Sequence, residues 1–128
     1  MTASEEKEIW EFQRKSFVHW RRPFLPDDPP SFVSRDKQRL NHLHHYKLNL
    51  QYTFPEDSKW ALHIDADEST DVDGWIYSDH FQSRKWSTNQ FSSSHLCRKR
   101  VWKRVAHKQF VAKMAPKQLS NKSLDGTQ

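Results

Sequence analysis

The sequence predicts a mainly β domain, a single antiparallel sheet or sandwich, on three observations. Several stretches alternate in character from residue to residue, the mark of a strand with two distinct faces. Rings, six Trp, eight Phe and three Tyr, are expected to supply most of the core, since Val, Ile and Leu are too few to do it alone. Only two glycines occur in 128 residues, so long, proline-bearing connections are expected in place of tight hairpins. The rings matter because the rest is so polar. Apolar residues make up 34%, charged residues 29%, and mean hydropathy is -1.04. Such a chain would drift toward disorder without aromatic side chains that each bury about 150–250 Å². By length it is one domain, large enough for a core without metal or disulfide staples.

In order, EKEIWEFQRKSFVHWRRPFL reads as a strand, with Trp10, Phe12 and Arg14 alternating against Ile9, Glu11 and Gln13. PFLPDDPPSFVSRD carries four prolines and is expected to be an extended loop, tucked onto the body by Phe24, Leu25 and Phe32. HLHHYKLNLQYTF predicts a second strand, Leu48, Leu50, Tyr52 and Phe54 facing away from Lys47, Asn49, Gln51 and Thr53. After a turn at Pro55, KWALHID sets Trp60, Leu62 and Ile64 on one face. Beyond the acidic loop DADESTDVDG, GWIYSDHF is a further strand bearing Trp75, Tyr77 and Phe81. The last strand is CRKRVWKRVA. From His107 onward the chain is weakly helical to Pro116 and then expected to be disordered. The expected boundaries are a flexible N-terminus at 1–7, the domain at 8–107 and a basic tail at 108–128.

The last strand poses the functional question. Arg98, Arg100, Trp102 and Arg104 share one face, while Cys97, Val101 and Val105 share the other with Lys99 and Lys103. The row is either a basic surface for an anionic partner or a set of guanidinium planes stacked on rings elsewhere in the chain. Charge is placed unevenly: no carboxylate lies between Asp79 and Asp125, a stretch with eleven Lys and Arg, against a formal total of +5. That asymmetry points to a basic flank facing an anionic partner.

Chemistry finds little to work with. An EF-hand loop starting at Asp65 would need glycine and glutamate where Thr70 and Ile76 stand, so a solvated acidic turn is the reading. His42, His44 and His45 lack a second ligand pair for zinc; on a strand His42 and His44 would share a face and His45 point away. The single cysteine, Cys97, cannot form an internal disulfide and fits an intracellular, reducing setting. Its basic neighbours could lower its pKa, but opposite the arginines it reads as a small buried apolar group. The sequence carries no glycine-rich phosphate loop, nucleophile elbow or HExxH, and the expectation is a non-enzyme without metal or cofactor. No stretch has the roughly 18 apolar residues of a membrane span, and MTASEEKEIW lacks the apolar core of a signal peptide.

Several segments together carry a resemblance. GWIYSDHF, then Trp86, then CRKRVWKRVA, preceded by WEFQRKSFVHWRRPFLPDDPPSFVSRD, is similar to the dysferlin-type domain family from about Trp10 to Ala106. The correspondence includes a Gly-Trp-x-Tyr strand, an Arg-rich strand ending in Trp-x-Arg, and a Leu-Pro-Asp loop; Lys99 interrupts the arginine run. The resemblance implies long antiparallel strands held by interleaved arginine and tryptophan. Trp10, Arg14, Trp20, Trp75, Trp86, Arg98, Arg100, Trp102 and Arg104 would form that stack, with Lys99, Lys103, Lys108, Lys113 and Lys117 left as contacts to an anionic partner. It further implies a membrane-associated adaptor in the cytoplasm, peripheral on an intracellular membrane and bound through a protein partner or acidic phospholipid. A small single-domain sporulation protein of yeast in this family suggests formation of the spore (prospore) membrane. Fungal peroxins of the family suggest, as an alternative, regulation of the peroxisome and endoplasmic reticulum membrane. The pI of about 9.4 and rings among lysines leave a single-stranded nucleic-acid-binding module as a second alternative.

Overall fold

The structure, a computed structural model, describes residues 3–65, 69–88 and 95–109. Eight strands follow in order: β1 (Ser4–Ser16), β2 (His19–Arg21), β3 (Phe32–Ser34), β4 (Arg39–Leu40), β5 (Tyr52–Thr53), β6 (Ala61–Leu62), β7 (Ile76–Ser78) and β8 (Cys97–Lys108). They form one antiparallel sheet, mainly β as the alternation predicts, with no α-helix among the described residues. Its spine is the pair of long strands, β1 and β8, in continuous register from Ser4 opposite His107 to Arg14 opposite Cys97. β2 and β3 flank β1, and β4 flanks β3. β5, β6 and β7 line the far edge of β8 in turn. The chain therefore leaves the spine after β1, lays short strands along both its edges, and returns to close it.

Residues directly opposite across a ladder point to the same side. One face of the spine thus carries Lys7, Ile9, Glu11 and Gln13 beside Arg104, Trp102, Arg100 and Arg98. The other carries Glu8, Trp10, Phe12 and Arg14 beside Lys103, Val101, Lys99 and Cys97. Both faces are covered. Ile9, Leu40, Trp75, Tyr77 and Ala106 are buried on the first, and Cys97 and Val101 on the second. Four of these seven are aliphatic, and the two rings, Trp75 and Tyr77, are the largest side chains among them.

Several expected elements differ. The predicted second strand shrinks to Tyr52–Thr53. Upstream, His45 and Tyr46 donate backbone N–H to His42 and Leu43 carbonyls and close a 3-10 turn at Leu43–His45. The Asn49 side chain then accepts the Gln51 N–H and its carbonyl accepts that of Tyr52, a local bond that bends the chain where alternation predicts a straight strand. Leu50, at that bend, is consequently exposed, and Ile64, expected on a buried face with Trp60 and Leu62, lies beyond the end of β6 and is exposed too. The proline loop is not wholly a loop: Pro29 and Pro30 fix an extended backbone that runs into β3 against Ile9–Glu11. Phe24 and Leu25, expected to tuck inward, are exposed.

Both ends of the spine outrun the expected boundaries. β1 begins at Ser4, within the segment read as flexible, and β8 continues through His107 and Lys108, where a weak helix was expected. Lys108 N–H donates to the Ala3 carbonyl at 2.8 Å and Gln109 N–H to that of Gln51 at 2.7 Å. The rest of the tail, with Lys113 and Lys117, lies outside the described residues. Tight hairpins also occur despite the scarcity of glycine. β1 and β2 are joined by two residues, Phe17 and Val18, with Phe17 at φ 56°. A left-handed backbone costs a residue with a Cβ about 1–2 kcal/mol.

Candidate functional site

The Arg98 face of β8 is a continuous stack of cations and rings. The Arg98 guanidinium lies between Trp20, 4.5 Å to the ring centre, and Trp75, 4.0 Å. Trp75 presents its ring to Arg100 as well, at 4.2 Å, and Arg100 reaches Trp102 at 5.3 Å. Three indoles and two guanidinium groups therefore interleave in the order Trp20, Arg98, Trp75, Arg100, Trp102. Each such contact is worth about 0.5–1 kcal/mol when exposed and about 2 when desolvated. Arg104, the last of the row, sits 3.9 Å over Phe54 instead of a tryptophan. Phe54 belongs to a separate ring cluster with Tyr46 and Trp60.

Half-buried guanidinium groups also need acceptors. β1 supplies them from the opposing positions. Arg98 Nε donates to Gln13 Oε1 at 2.9 Å, and Arg100 Nε to Glu11 Oε1 at 2.8 Å. The Trp102 indole N–H donates to the same Glu11 oxygen at 2.9 Å. Burial lowers the pKa of Arg98. The sequence places Gln13 and Glu11 only in the strand phase opposite Trp10, Phe12 and Arg14. Their signal is parity: they share the phase of Ile9, the one buried residue of β1.

Trp75 is delivered into the stack by a turn built on Asp71. The Asp71 carboxylate accepts the backbone N–H of Asp73 and Trp75, at 2.9 and 2.8 Å, and the Tyr77 hydroxyl at 2.5 Å. Gly74 follows at φ 87°, where an added Cβ would meet the His63 carbonyl at 3.0 Å. Burial, then the bond to Asp71, pushes the Tyr77 hydroxyl up to about 12. What read as a solvated acidic turn is, at Asp71, the seat of the central ring.

The residues predicted as one stack divide between the two faces. Trp10 and Trp86 lie on the Cys97 side, and the cation between them is Lys99, 5.0 Å from Trp10 and 4.1 Å from Trp86. Lys99 is half-buried and burial lowers its pKa. The expectation that it meets an anionic partner is corrected: its ammonium is enclosed by two indoles. Arg14 is also corrected, since its ring contact is Phe81, at 5.2 Å, rather than a tryptophan. Its guanidinium instead grips Asp28 with two bonds of 2.7 Å. Asp28 accepts the Leu25 and Phe24 N–H groups too, which fixes the proline loop to β1. Burial would raise the Asp28 pKa, but the bonds from Arg14, Leu25 and Phe24 outweigh it and hold the carboxyl below its usual range.

Of the other expected partner contacts, Lys103 faces Glu6 and Glu8 at 3.6 and 3.8 Å. Lys108 is exposed at the strand end. Cys97 is fully buried, and burial pushes its thiol up to about 11, the opposite of an activated thiolate. The 3-10 turn brings all three histidines together, His45 included, with ring centres 4.4–5.3 Å apart. No group of three His, Cys, Asp or Glu among the described residues has the arrangement to hold a metal ion, and no helix among them is long and apolar enough to cross a membrane. Comparison of the chain with protein-family models gives no match, and comparison with curated proteins finds no similar one.

Proposed function

We propose that this chain is a non-enzymatic adaptor of the dysferlin-domain kind, peripheral on an intracellular membrane and acting in formation of the spore membrane. The observation that carries the reading is the interleaved stack, Trp20, Arg98, Trp75, Arg100, Trp102, in which the Gly-Trp-x-Tyr and Trp-x-Arg segments meet. That is the arrangement the resemblance implies for those two motifs. Four groups capable of chemistry are engaged otherwise: Cys97 is buried, and Glu11, Asp28 and Asp71 hold the scaffold. The same engagement weighs against single-strand binding, which needs rings open to bases. Trp75 is 4% exposed, and its indole is shared by two guanidinium groups.

The test is the localisation of a tagged full-length chain in a spore-forming cell, during vegetative growth and through spore formation. The reading expects recruitment to the enclosing membrane as spores form. Diffuse signal at every stage overturns it, and a steady endoplasmic-reticulum or peroxisomal pattern transfers it to the peroxin-like alternative.

A further inference from the structure

Phe17 and Val18 close the β1–β2 hairpin and are 95% and 77% exposed. Phe17 occupies the first central position of this two-residue turn at φ 56°, a place such turns give to glycine. Folding has no use for a phenylalanine there. Its ring buries almost nothing, and its Cβ disfavours the backbone it must adopt. A second apolar pair, Phe24 and Leu25, is exposed in the following segment, where Asp28 and Arg14 brace it against β1. Lys15, Arg21 and Arg22 lie within the hairpin and just after it, Lys15 over Trp20 and Arg21 over Phe24. From Phe12 to Pro26 the chain has no carboxylate; of the next two, Asp28 is engaged by Arg14 and Asp27 is exposed.

We propose that the β1–β2 hairpin tip is a membrane-insertion point: Phe17 and Val18 enter the headgroup–acyl boundary of a bilayer while Lys15, Arg21 and Arg22 meet anionic headgroups. The inference rests on the membrane-adaptor reading above and names the element through which it works. Shape favours a bilayer over a protein. A two-residue tip is convex and narrow, whereas a stable protein interface takes about 800 Å² from each partner. Insertion of apolar side chains by about 5–10 Å is enough to hold an interfacial element. Each cation near an anionic surface strengthens binding roughly fivefold.

Flotation of the full chain with vesicles of phosphatidylcholine, alone or mixed with phosphatidylserine, tests the proposal. The parent should float with the anionic vesicles. Phe17→Gly with Val18→Ser should weaken that binding at least about tenfold, since the apolar area that leaves water is gone. Glycine suits the turn, so the variant should melt at or above the parent temperature. Arg21→Gln with Arg22→Gln should lower affinity and reduce its salt dependence. If the parent floats and the tip variant floats equally well, insertion is overturned and the adaptor reading survives through another surface. If the parent floats with neither vesicle, insertion and the lipid half of that reading fall together. A second readout is independent of stability. Phe17→Cys carrying an environment-sensitive dye is labelled at the tip alone, because Cys97 is buried. Its emission should shift to the blue on anionic vesicles, and unchanged emission overturns the proposal.

Discussion

Trp75→Ala is the sharpest test of whether this sheet is held by stacked cations. The ring is almost wholly buried and lies 4.0 Å from one guanidinium and 4.2 Å from the next. Truncating a buried tryptophan costs about 3–5 kcal/mol, a large share of the roughly 5–15 kcal/mol that holds a domain folded. At roughly 4 °C per kcal/mol for a domain of this size, the melting temperature should fall by about 12–20 °C. Trp102→Ala should cost less, because that ring is partly exposed and Arg100 still serves Glu11 after its loss. Burial alone could account for the first number, so a double-mutant cycle is needed. Trp75→Leu keeps most of the apolar volume and removes the π face, and Arg100→Met keeps the stem and removes the cation. Denaturant melts of the parent, both single variants and the pair should give a coupling of about 0.5–2 kcal/mol. A coupling of zero would remove the Trp75–Arg100 contact from the stack, and zero coupling in the matching cycle with Arg98→Met as well would refute the stacking account whatever the single variants do.

Three further outcomes follow from the same geometry. Asp28 has a folded pKa below its unfolded value, so its contribution is complete above about pH 4 and is lost as pH falls through the lowered folded value. Asp28→Asn should therefore be less stable near neutrality and flatter along the acid limb of a stability profile; an unchanged acid limb would refute the clamp. Cys97, with its thiol pushed up to about 11, should resist an aromatic disulfide reagent in the native state at about pH 8 and react at once in denaturant. Because the unfolded thiol ionises near about pH 8.5, stability should also decline as pH rises past that value. Lys99→Met exchanges two cation–π contacts for relief of a buried charge and should stay within about 1 kcal/mol of the parent. Its anionic-vesicle binding should be unchanged, and a marked loss there would return Lys99 to the partner surface.

Legibility in the sequence depended on length and parity. β1 and β8 were readable because each alternates over many residues, and the parity of β8 alone set Lys99 on the Cys97 side. What parity cannot give is register. Nothing in one strand says that Glu11 rather than Gln13 will oppose Arg100, or that Phe54 rather than a tryptophan will meet Arg104. The short strands were illegible for a different reason. Tyr52–Thr53 and Ala61–Leu62 are strands because β8 offers them an edge, while their own flanks favour turns. At Asn49 a local side-chain bond defeated the alternation around it. Asp28 and Asp71 lay in turn-like sequence, where an acidic side chain signals an Asx turn without revealing that Arg14 or Tyr77 awaits it.

The division of cations between scaffold and surface changes what the net charge means. A positive total and an arginine-rich strand invite an electrostatic reading of β8, yet from Arg98 to Arg104 the charge of that strand is internally engaged. Arg98, Arg100 and Arg104 lie over rings, Lys99 lies between two indoles, and Lys103 faces two carboxylates. A cation held in this way cannot turn toward a ligand without abandoning a ring or a carboxylate, so its charge serves folding before it serves recognition. The hairpin end differs. There Arg22 is exposed, and Arg21, though it lies over Phe24, is exposed together with that ring, beside apolar side chains that the fold leaves uncovered. Neutralising Arg98, Arg100 and Arg104 together should therefore unfold the domain, whereas neutralising the hairpin should leave it folded and alter only what it binds. The arginine-rich strand advertises charge most loudly, but among the described residues it is the β1–β2 hairpin and the segment just after it that set exposed cations beside uncovered apolar side chains.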